Sequence, residues 1–284
     1  MSPTKPPALV VLSGGQDSTT CLFWARQFFG ELHAVTFDYG QRHALELEAA
    51  KNVAKIAGVV SHEIVSLGPI LKGTSPLTNP NENLELYEDH ASMEAIIGDR
   101  VEKTFVPMRN ALFLTLAANR ATCLGIQHVI TGVCEADNAN YPDCRGQFIA
   151  AMQHCVQEAL GQPASFMIHT PLMYLSKAES VKLVMGLGEE AYGALAWSHT
   201  AYDGQYPPVG KDHASVLRAH GFEQAGVPDP LVIRAIMEGR MSPPATANYQ
   251  EWDGPLSDAD SLEALLASMA RRYSLPLTVA GGGL

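Results

Sequence analysis

The segment Ala8–Ser18, with the sequence Ala-Leu-Val-Val-Leu-Ser-Gly-Gly-Gln-Asp-Ser, decides how the rest of this 284-residue chain is interpreted. Its first five residues are all apolar, which is typical of a buried β-strand. After the two glycines, apolar residues at helical spacing predict a helix over Ser18–Phe29, and Gly30 ends that pattern. The chain is therefore expected to pass from a strand through a Gly-Gly turn directly into a helix.

A turn of this kind predicts a phosphate-binding loop. Backbone N–H groups in a glycine turn, with the positive end of a helix behind them, attract anions. Ser13, Ser18 and Thr19 add hydroxyl donors, and Asp17 is a candidate ligand for Mg²⁺. The loop has neither the lysine of a Walker A motif nor the G-x-G-x-x-G pattern of a dinucleotide fold. The alternative interpretation is a plain turn in which Ser18 caps the helix.

The first 190 residues alternate short apolar runs with helical patterns. After the first strand, the predicted strands are His33–Phe37, Ser61–Val65, His128–Thr131 and Phe166–His169, and the predicted helices are His43–Ala57, Arg109–Leu124, Arg145–Leu160 and Lys177–Leu187. This alternation predicts an α/β fold with a doubly wound parallel sheet in one main domain, residues 1–239. Residues 70–103 are expected to form a long loop with one short helix. Residues 240–284 are expected to form a C-terminal tail with one helix over Ser261–Tyr273.

Composition narrows the classes of function. The chain has 19 Lys and Arg against 30 Asp and Glu, a net charge of -11, which argues against a broad nucleic-acid-binding surface. No apolar run reaches membrane-spanning length, and the amino end lacks a signal-peptide pattern, so a cytoplasmic protein without membrane contact is expected. The five cysteines contain no C-x-x-C pair, and this spacing indicates neither a disulfide framework nor a zinc ribbon.

The strand, the Ser-Gly-Gly-x-Asp-Ser loop and the helix resemble the PP-loop of ATP pyrophosphatases. These adenine nucleotide alpha-hydrolase-like enzymes split ATP into AMP and pyrophosphate while they adenylate a substrate. The resemblance implies ATP and Mg²⁺ as cofactors. It also implies an ATP-binding segment that consists of Leu12, Ser13, Gly14, Gly15, Gln16, Asp17, Ser18, Thr19 and Thr20.

Five further motifs follow the later strands in order: FDYGQRH from Phe37, TFVPMRN from Thr104, TGVCE from Thr131, YPDCR from Tyr141, and TPL from Thr170 with KAE from Lys177. Together with the PP-loop they resemble the 7-cyano-7-deazaguanine synthase (QueC) family of queuosine and deazapurine biosynthesis. The resemblance covers roughly residues 8–235 and implies 7-carboxy-7-deazaguanine, ammonia and ATP as substrates. It also implies a homodimer.

The resemblance assigns roles to particular residues. Asp17, Arg109 and Lys177 are the expected catalytic residues, since cations stabilise charge on a transferring phosphoryl group. The expected substrate-binding residues are Phe37, Tyr39, Gln41, Arg42, Asn110, Gly132, Glu135, Tyr141, Asp143 and Arg145. The alternatives are a surface ion pair for Arg109, a loop salt bridge between Asp143 and Arg145, and a solvated helix face for Lys177. Cys134 and Cys144 are either reactive thiols or small buried hydrophobic residues.

One segment departs from the family. The usual members carry a four-cysteine zinc site, and the corresponding positions here, in residues 200–219, are Ala201, Val209, Asp212 and Ser215. Because Ala and Val cannot ligate a metal, zinc is not expected. Apolar packing around Val209, Val216 and Leu217 is expected to hold the segment instead. A replacement metal site made of His199, Asp212 and His213 is the alternative.

The implied function is an ATP-dependent C–N ligase that adenylates the substrate carboxylate and couples it to ammonia. The loss of the zinc ligands leaves a second possibility, a specialised paralogue that stops at the amide or joins the deazaguanine to an amine of a macromolecule. A third possibility, from another class, is a non-catalytic subunit that senses a nucleotide. A different PP-loop enzyme, such as one that thiolates or amidates tRNA, fits less well because the cysteine pairs and a basic surface are missing.

Overall fold

A computed structural model of the chain describes residues 5–41, 45–135, 139–161 and 165–241. The strands are β1 (Ala8–Val11), β2 (Leu32–Asp38), β3 (Ser61–Ser66), β4 (His128–Ile130) and β5 (Met167–His169). The helices are α1 (Gln16–Phe28), α2 (Leu45–Ala57), α3 (His90–Ile97), α4 (Arg109–Cys123), α5 (Gly146–Leu160), α6 (Lys177–Gly186), α7 (Glu189–Ala194), α8 (His213–Ala225) and α9 (Pro230–Met237). Short 3₁₀ turns cover Pro142–Cys144 and Leu195–Trp197.

The five strands form one parallel sheet in the order β3-β2-β1-β4-β5. The chain leaves β1 toward β2 on one side and later returns to place β4 on the other side of β1. The strand order therefore reverses at β1, which is the point where open α/β sheets bind ligands beyond the carboxyl ends of their strands. The segment after Val11 lies at this reversal.

Helices cover both faces of the sheet, as the sequence predicts. On one face, buried residues of α1, α2, α6 and α7 pack in a single core with Val10 and Ile130. On the other face, α4 and α5 pack against Leu9, Val35 and Val129. Because β1 is covered on both faces, its sequence is continuously apolar and does not alternate between apolar and polar residues. The predicted doubly wound parallel sheet is confirmed.

The helices differ from the prediction both in their bounds and in their number. The helix after the first strand begins at Gln16 rather than Ser18, so Gly15 occupies the N-cap and Ser18 lies inside the first turn. The interpretation of Ser18 as a cap is therefore wrong. The single short helix expected between residues 70 and 103 is α3. Three helices, α7, α8 and α9, occupy a region for which the sequence predicted none.

The C-terminal part of the main domain is held by a buried arginine. Arg218 of α8 is 1% exposed and makes two hydrogen bonds to the carboxylate of Asp229, at 2.7 and 2.8 Å. It also donates to the hydroxyls of Ser198 and Thr200, each at 2.8 Å, and to the carbonyl of Leu195. One guanidinium thus ties together α8, the start of α9 and the segment before α8.

The expected apolar packing of this region is only partly right. Val216 and Leu217 are buried against Tyr87 and against Met93 and Ile97 of α3. Val209, in contrast, is 46% exposed and does not contribute to that core. The helix predicted over Ser261–Tyr273 lies outside the described residues. No described helix combines the length and apolar character needed to span a bilayer.

Candidate active site

A cleft of about 500 Å³ opens beyond the carboxyl ends of the strands. Its floor is the loop that follows β1. One side is formed by residues after β2 and by α4, the other by residues after β4. The segment before α8 and the first turns of α8 close it, through His199, Thr200, Tyr202, His213, Ala214 and Leu217. Glu46 and Lys177 also line the cleft, so residues from seven separated stretches of the sequence border one cavity.

Gly14 fixes the loop against α2. Its φ angle is +87°, and a Cβ atom there would lie 2.4 Å from the carbonyl oxygen of Glu46 and 2.7 Å from the amide nitrogen of Ala50. Only glycine tolerates both the left-handed backbone and this close approach. The carbonyl of Gly14 also accepts a hydrogen bond from the amide of His199 at 2.8 Å. The loop is therefore clamped between α2 and the segment that precedes α8.

Local hydroxyl groups shape the same loop. The hydroxyl of Ser18 donates to the carbonyl of Gly15 at 3.1 Å and accepts from the amide of Ser13 at 3.2 Å. The hydroxyls of Thr19 and Thr20 donate to the carbonyls four residues earlier, at 2.8 and 3.0 Å. The two threonines therefore stabilise the first turns of α1 and do not line the cleft.

Asp17 and Lys177 form an ion pair inside the cleft, with the ammonium nitrogen 2.9 and 3.1 Å from the two carboxylate oxygens. The side chain of Lys177 is 10% exposed, so the alternative of a solvated helix face is wrong. Gly221 of α8 makes room for it, because a Cβ at Gly221 would lie 2.5 Å from Cγ of Lys177. Charge-bearing groups from the first and sixth helices thus meet at the floor.

Arg109, at the start of α4, faces three tyrosines. Burial alone lowers the pKa of Arg109, but Tyr39, Tyr202 and Tyr141 outweigh it and raise that pKa. Burial in turn raises the pKa of Glu46 to about 7, although Arg109 opposes this shift. The guanidinium stays charged in a partly buried setting, which suits a group that binds oxyanions and disagrees with a surface ion pair.

The side of the cleft opposite the Asp17–Lys177 pair is organised around Asn110. Its amide N–H donates to the carboxylate of Asp143 at 3.2 Å, and its side chain donates to the Asp143 carbonyl at 3.1 Å and to Sγ of Cys144 at 3.3 Å. Burial raises the pKa of Asp143, and the hydrogen bonds from Asn110 oppose that shift. Asp143 thus positions Asn110 and Cys144 from behind the lining.

A second buried carboxylate stands behind the wall. Glu102 accepts hydrogen bonds from the amide of Thr104 at 2.6 Å and from the hydroxyls of Tyr87 and Tyr141, each at 3.3 Å. The hydroxyl of Thr104 contacts both Glu102 and Tyr141. Tyr141 therefore lines the cleft, and its ring is held in place by hydrogen bonds with Glu102 and Thr104 in the long segment before α4.

The structure brings most of the predicted residues to one cavity. The cleft is lined by Leu12, Ser13, Gly15, Gln16, Asp17, Ser18, Phe37, Tyr39, Arg109, Asn110, Gly132, Glu135, Tyr141, Arg145 and Lys177. Gly14, Thr19, Thr20, Gln41 and Asp143 support the lining from behind. Glu135 accepts from the amide of Gly146 at 2.9 Å at the start of α5. Arg42 lies outside the described residues.

Glu46, Phe113 and Tyr202 line the cleft but were not selected from the sequence, and His199 and His213 were considered there only as ligands of a replacement metal site. Glu46 and Phe113 each lie within one turn of the family motifs at the starts of α2 and α4, so helical spacing was an available signal. The two histidines and Tyr202 belong to the segment that departs from the family, where no motif pointed to the cleft. Cys134 and Cys144 also line it, with Cys134 buried.

The positions that correspond to the family's zinc ligands have other contacts here. Asp212 caps α8 by accepting from the amide of Ser215 at 3.2 Å and from its hydroxyl at 2.6 Å. Nε2 of His199 lies 2.9 Å from the carbonyl of Ala201. In the described ranges, no group of three or more His, Cys, Asp or Glu residues could hold a metal ion. The absence of zinc stays a prediction.

Comparison with known proteins gives a consistent result. The family model described as "Queuosine biosynthesis protein QueC" matches residues 7–226. A 7-cyano-7-deazaguanine synthase of Gloeobacter violaceus is 54% identical over 79% of this chain and 94% of that protein. One from Laribacter hongkongensis is 46% identical over 80% and 94%. A 4-thiouridine synthetase solved with RNA and bound ATP is 15% identical, with a TM-score of 0.39 over 95% of this chain and 52% of that one.

Proposed function

The chain belongs to the QueC family of queuosine biosynthesis proteins, and we propose that it is an ATP-dependent C–N ligase acting on 7-carboxy-7-deazaguanine. Its relatives in that family are named 7-cyano-7-deazaguanine synthase, at 46–54% identity over most of the chain. The observation that carries the proposal is that the glycine loop, Arg109 and the Asp17–Lys177 pair share one cleft with Asn110 and Tyr141. A phosphate-binding part and a substrate-binding part are thus adjacent.

The chemical problem in this reaction is the poor electrophilicity of a carboxylate, whose leaving group would be an oxide. In the proposed first step, a carboxylate oxygen attacks the α-phosphorus of ATP and pyrophosphate departs. The product is an acyl adenylate, from which AMP can leave. Ammonia then attacks the acyl carbon, AMP leaves, and the amide forms with loss of one proton. The cleft thereby converts an inert acid into an acylating agent.

In the proposed second step the amide oxygen attacks another ATP, again releasing pyrophosphate. Loss of AMP and of the two remaining N–H protons from nitrogen then gives the nitrile. Both steps make the same demand on the protein, which is to hold a triphosphate and to stabilise charge at the α-phosphorus. One set of phosphate-binding residues therefore serves both adenylations.

The residues of this chain suit those demands. The backbone N–H groups after Ser13 and the amino end of α1 offer donors to phosphate oxygens. Arg109 and Lys177 supply the positive charge that a pentavalent phosphorus requires. Mg²⁺, which the carboxylate of Asp17 would hold, supplies further positive charge to the phosphates. Because Asp17 now pairs with Lys177, nucleotide binding is expected to release that ammonium toward the phosphates.

The other side of the cleft suits a flat polar heterocycle. The rings of Phe37 and Phe113 are stacked with their centroids 4.6 Å apart, and the ring centroid of Tyr39 lies 5.2 Å from that of Phe113. These rings give an apolar surface, while the side chain of Asn110 and the hydroxyl of Tyr141 add polar groups at its edge. A ring system with hydrogen-bonding edges, such as a deazaguanine, needs this combination.

The test is to incubate the purified protein with ATP, Mg²⁺, ammonium and 7-carboxy-7-deazaguanine. AMP and pyrophosphate are expected to appear only when the deazaguanine is present, and mass spectrometry of the product is expected to show the nitrile. An amide, or a conjugate with an amine of a macromolecule, would instead identify the specialised paralogue. Nucleotide binding without turnover for any amine would contradict the ligase and favour a sensor.

A further inference from the structure

Unpaired polar atoms concentrate at the cleft. In the part of the chain that the structure describes, two buried side-chain nitrogens have no hydrogen-bond partner, Nε2 of Gln16 and Nε2 of His213. Both residues are 4% exposed, and both line the cleft. Buried polar groups in native proteins are almost always hydrogen-bonded, because burial of an unpaired group removes its hydrogen bonds to water without replacing them. Their shared location suggests that their partners are supplied by a ligand.

Gln16 belongs to the glycine loop, so a ligand contact there adds nothing new. His213 is different because it lies in the segment that departs from the family pattern, where the sequence offered it only as a ligand of a replacement metal site. It is the first residue of the thirteen-residue helix α8, directly after the capping residue Asp212. The positive end of α8 and the ammonium of Lys177 therefore lie on the same side of the cleft as this imidazole.

We propose that His213 binds an oxyanion of the substrates in the cleft by donating a hydrogen bond from Nε2. The oxyanion is either a phosphate of the nucleotide or the carboxylate of the heterocyclic acid, and both have the same acceptor chemistry. Which acid occupies the cleft rests on the proposed function, but the presence of an oxyanion contact does not. The segment that has lost the zinc ligands then serves directly in binding.

The electrostatic setting favours an anion at this place. The positive end of α8 and the ammonium of Lys177 lie near the imidazole, and burial lowers the pKa of His213. Nε2 is covered in the ligand-free cleft, so binding requires a rotation of the ring about χ2. A new hydrogen bond compensates for that movement.

The experiment compares His213→Leu with His213→Gln, whose side-chain amide can reach the position of Nε2. His154→Leu is the matched control, since His154 is exposed on α5. Two calorimetric titrations are made without turnover, one with the Mg²⁺ complex of an ATP analogue carrying a methylene group between the α and β phosphorus atoms, and one with 7-carboxy-7-deazaguanine. Thermal unfolding is measured for each ligand-free variant.

We expect His213→Leu to lower the affinity for one of the two ligands at least tenfold. In His213→Gln and His154→Leu, both affinities should stay within threefold of those of the parent protein. Because Nε2 has no protein partner, the ligand-free melting temperature should not fall in His213→Leu. Unchanged affinity for both ligands would overturn the inference. So would equal losses of affinity in His213→Leu and His213→Gln, since that pattern indicates a packing role. Intact binding without turnover would count against the proposed function alone.

Discussion

The glycine loop, residues 12–20, and the wall segment, residues 198–218, meet at the same cleft but are built differently. The loop takes its shape from glycine and from hydroxyl bonds that span five residues or fewer. The wall takes its shape from Arg218, which reaches 23 residues back to Leu195 and 11 residues forward to Asp229. One region is specified locally, and the other depends on contacts between distant parts of the chain.

This difference predicts that the two regions tolerate sequence change differently. A loop that uses backbone N–H groups needs its glycine and its spacing, so it keeps a readable motif. The backbone of the wall can be held by a buried ion pair or by other contacts, so it does not require one fixed motif. Ala201 and Val209 offer no ligand atoms to a metal, and the ion pair between Arg218 and Asp229 holds the wall without them.

The largest expected effect comes from breaking the wall. Arg218→Met should lower the free energy of unfolding by about 3–5 kcal/mol, because it leaves the carboxylate of Asp229 buried and uncompensated. Urea denaturation measures this. The control, Arg120→Met, removes an exposed pair with Glu63 and should cost less than about 1 kcal/mol. Equal small losses in both variants would contradict the role given to Arg218.

The wall can also be tested by metal analysis of the purified parent protein. Less than one zinc ion per chain is expected, because Ala201 and Val209 offer no ligand atoms. One tightly bound zinc per chain would mean that the wall is held by metal ligation, and the comparison with the loop would fail.

The next effect concerns the floor of the cleft. Lys177→Met should lower the rate of substrate-dependent AMP formation about 10²–10³-fold, as expected for loss of one charge-stabilising donor. Lys182→Met is the matched control, since Lys182 lies on the exposed face of the same helix. A steady-state assay for AMP and pyrophosphate gives both values. If the two variants retain similar activity, Lys177 does not act on the phosphates.

The local character of the loop is tested with Gly14→Ala. The added Cβ collides with backbone atoms of α2, so we expect more than about 2 kcal/mol of destabilisation, in excess of the 1–2 kcal/mol typical of a left-handed residue alone. Gly58→Ala shares the positive φ but meets no atom within 4 Å, and should therefore show only the smaller cost. Denaturant unfolding compares them, and similar losses would show that Gly14 is not clamped.

The smallest effect is a pH dependence at Glu46. Its pKa is about 7 in the folded chain against an ordinary 4.5, so the folded state binds the proton more tightly. Relative to Glu46→Gln, the stability of the parent protein should therefore fall as pH rises from about 4.5 to 7, by on the order of 2 kcal/mol. Urea unfolding of both proteins at pH 5 and pH 8 measures this, and a constant difference between them would contradict burial of this carboxyl.

Much of the fold was predictable because its signals are local. An α/β sheet is indicated by the apolar run of β1, the Gly-Gly turn and the alternation of strands with helices, and each of these signals lies within a short stretch of sequence. The missed helices lack such signals. The buried positions of α8 include His213, Ser215 and Arg218, so its pattern of polar residues does not mark one buried face. The short apolar run of α9 cannot be told from a strand by periodicity.

The sequence by itself determined the glycine turn before α1 and the identity of the charged residues, since a glycine turn before a helix has the same geometry in any context. Only the tertiary structure decided which of those residues meet. Asp17 and Lys177 are 160 residues apart in the sequence. They form an ion pair because they follow β1 and β5, and the carboxyl ends of parallel strands lie at the same edge of the sheet. Likewise, the raised pKa of Glu46 and the unpaired nitrogen of His213 arise from burial, which depends on how remote segments pack together.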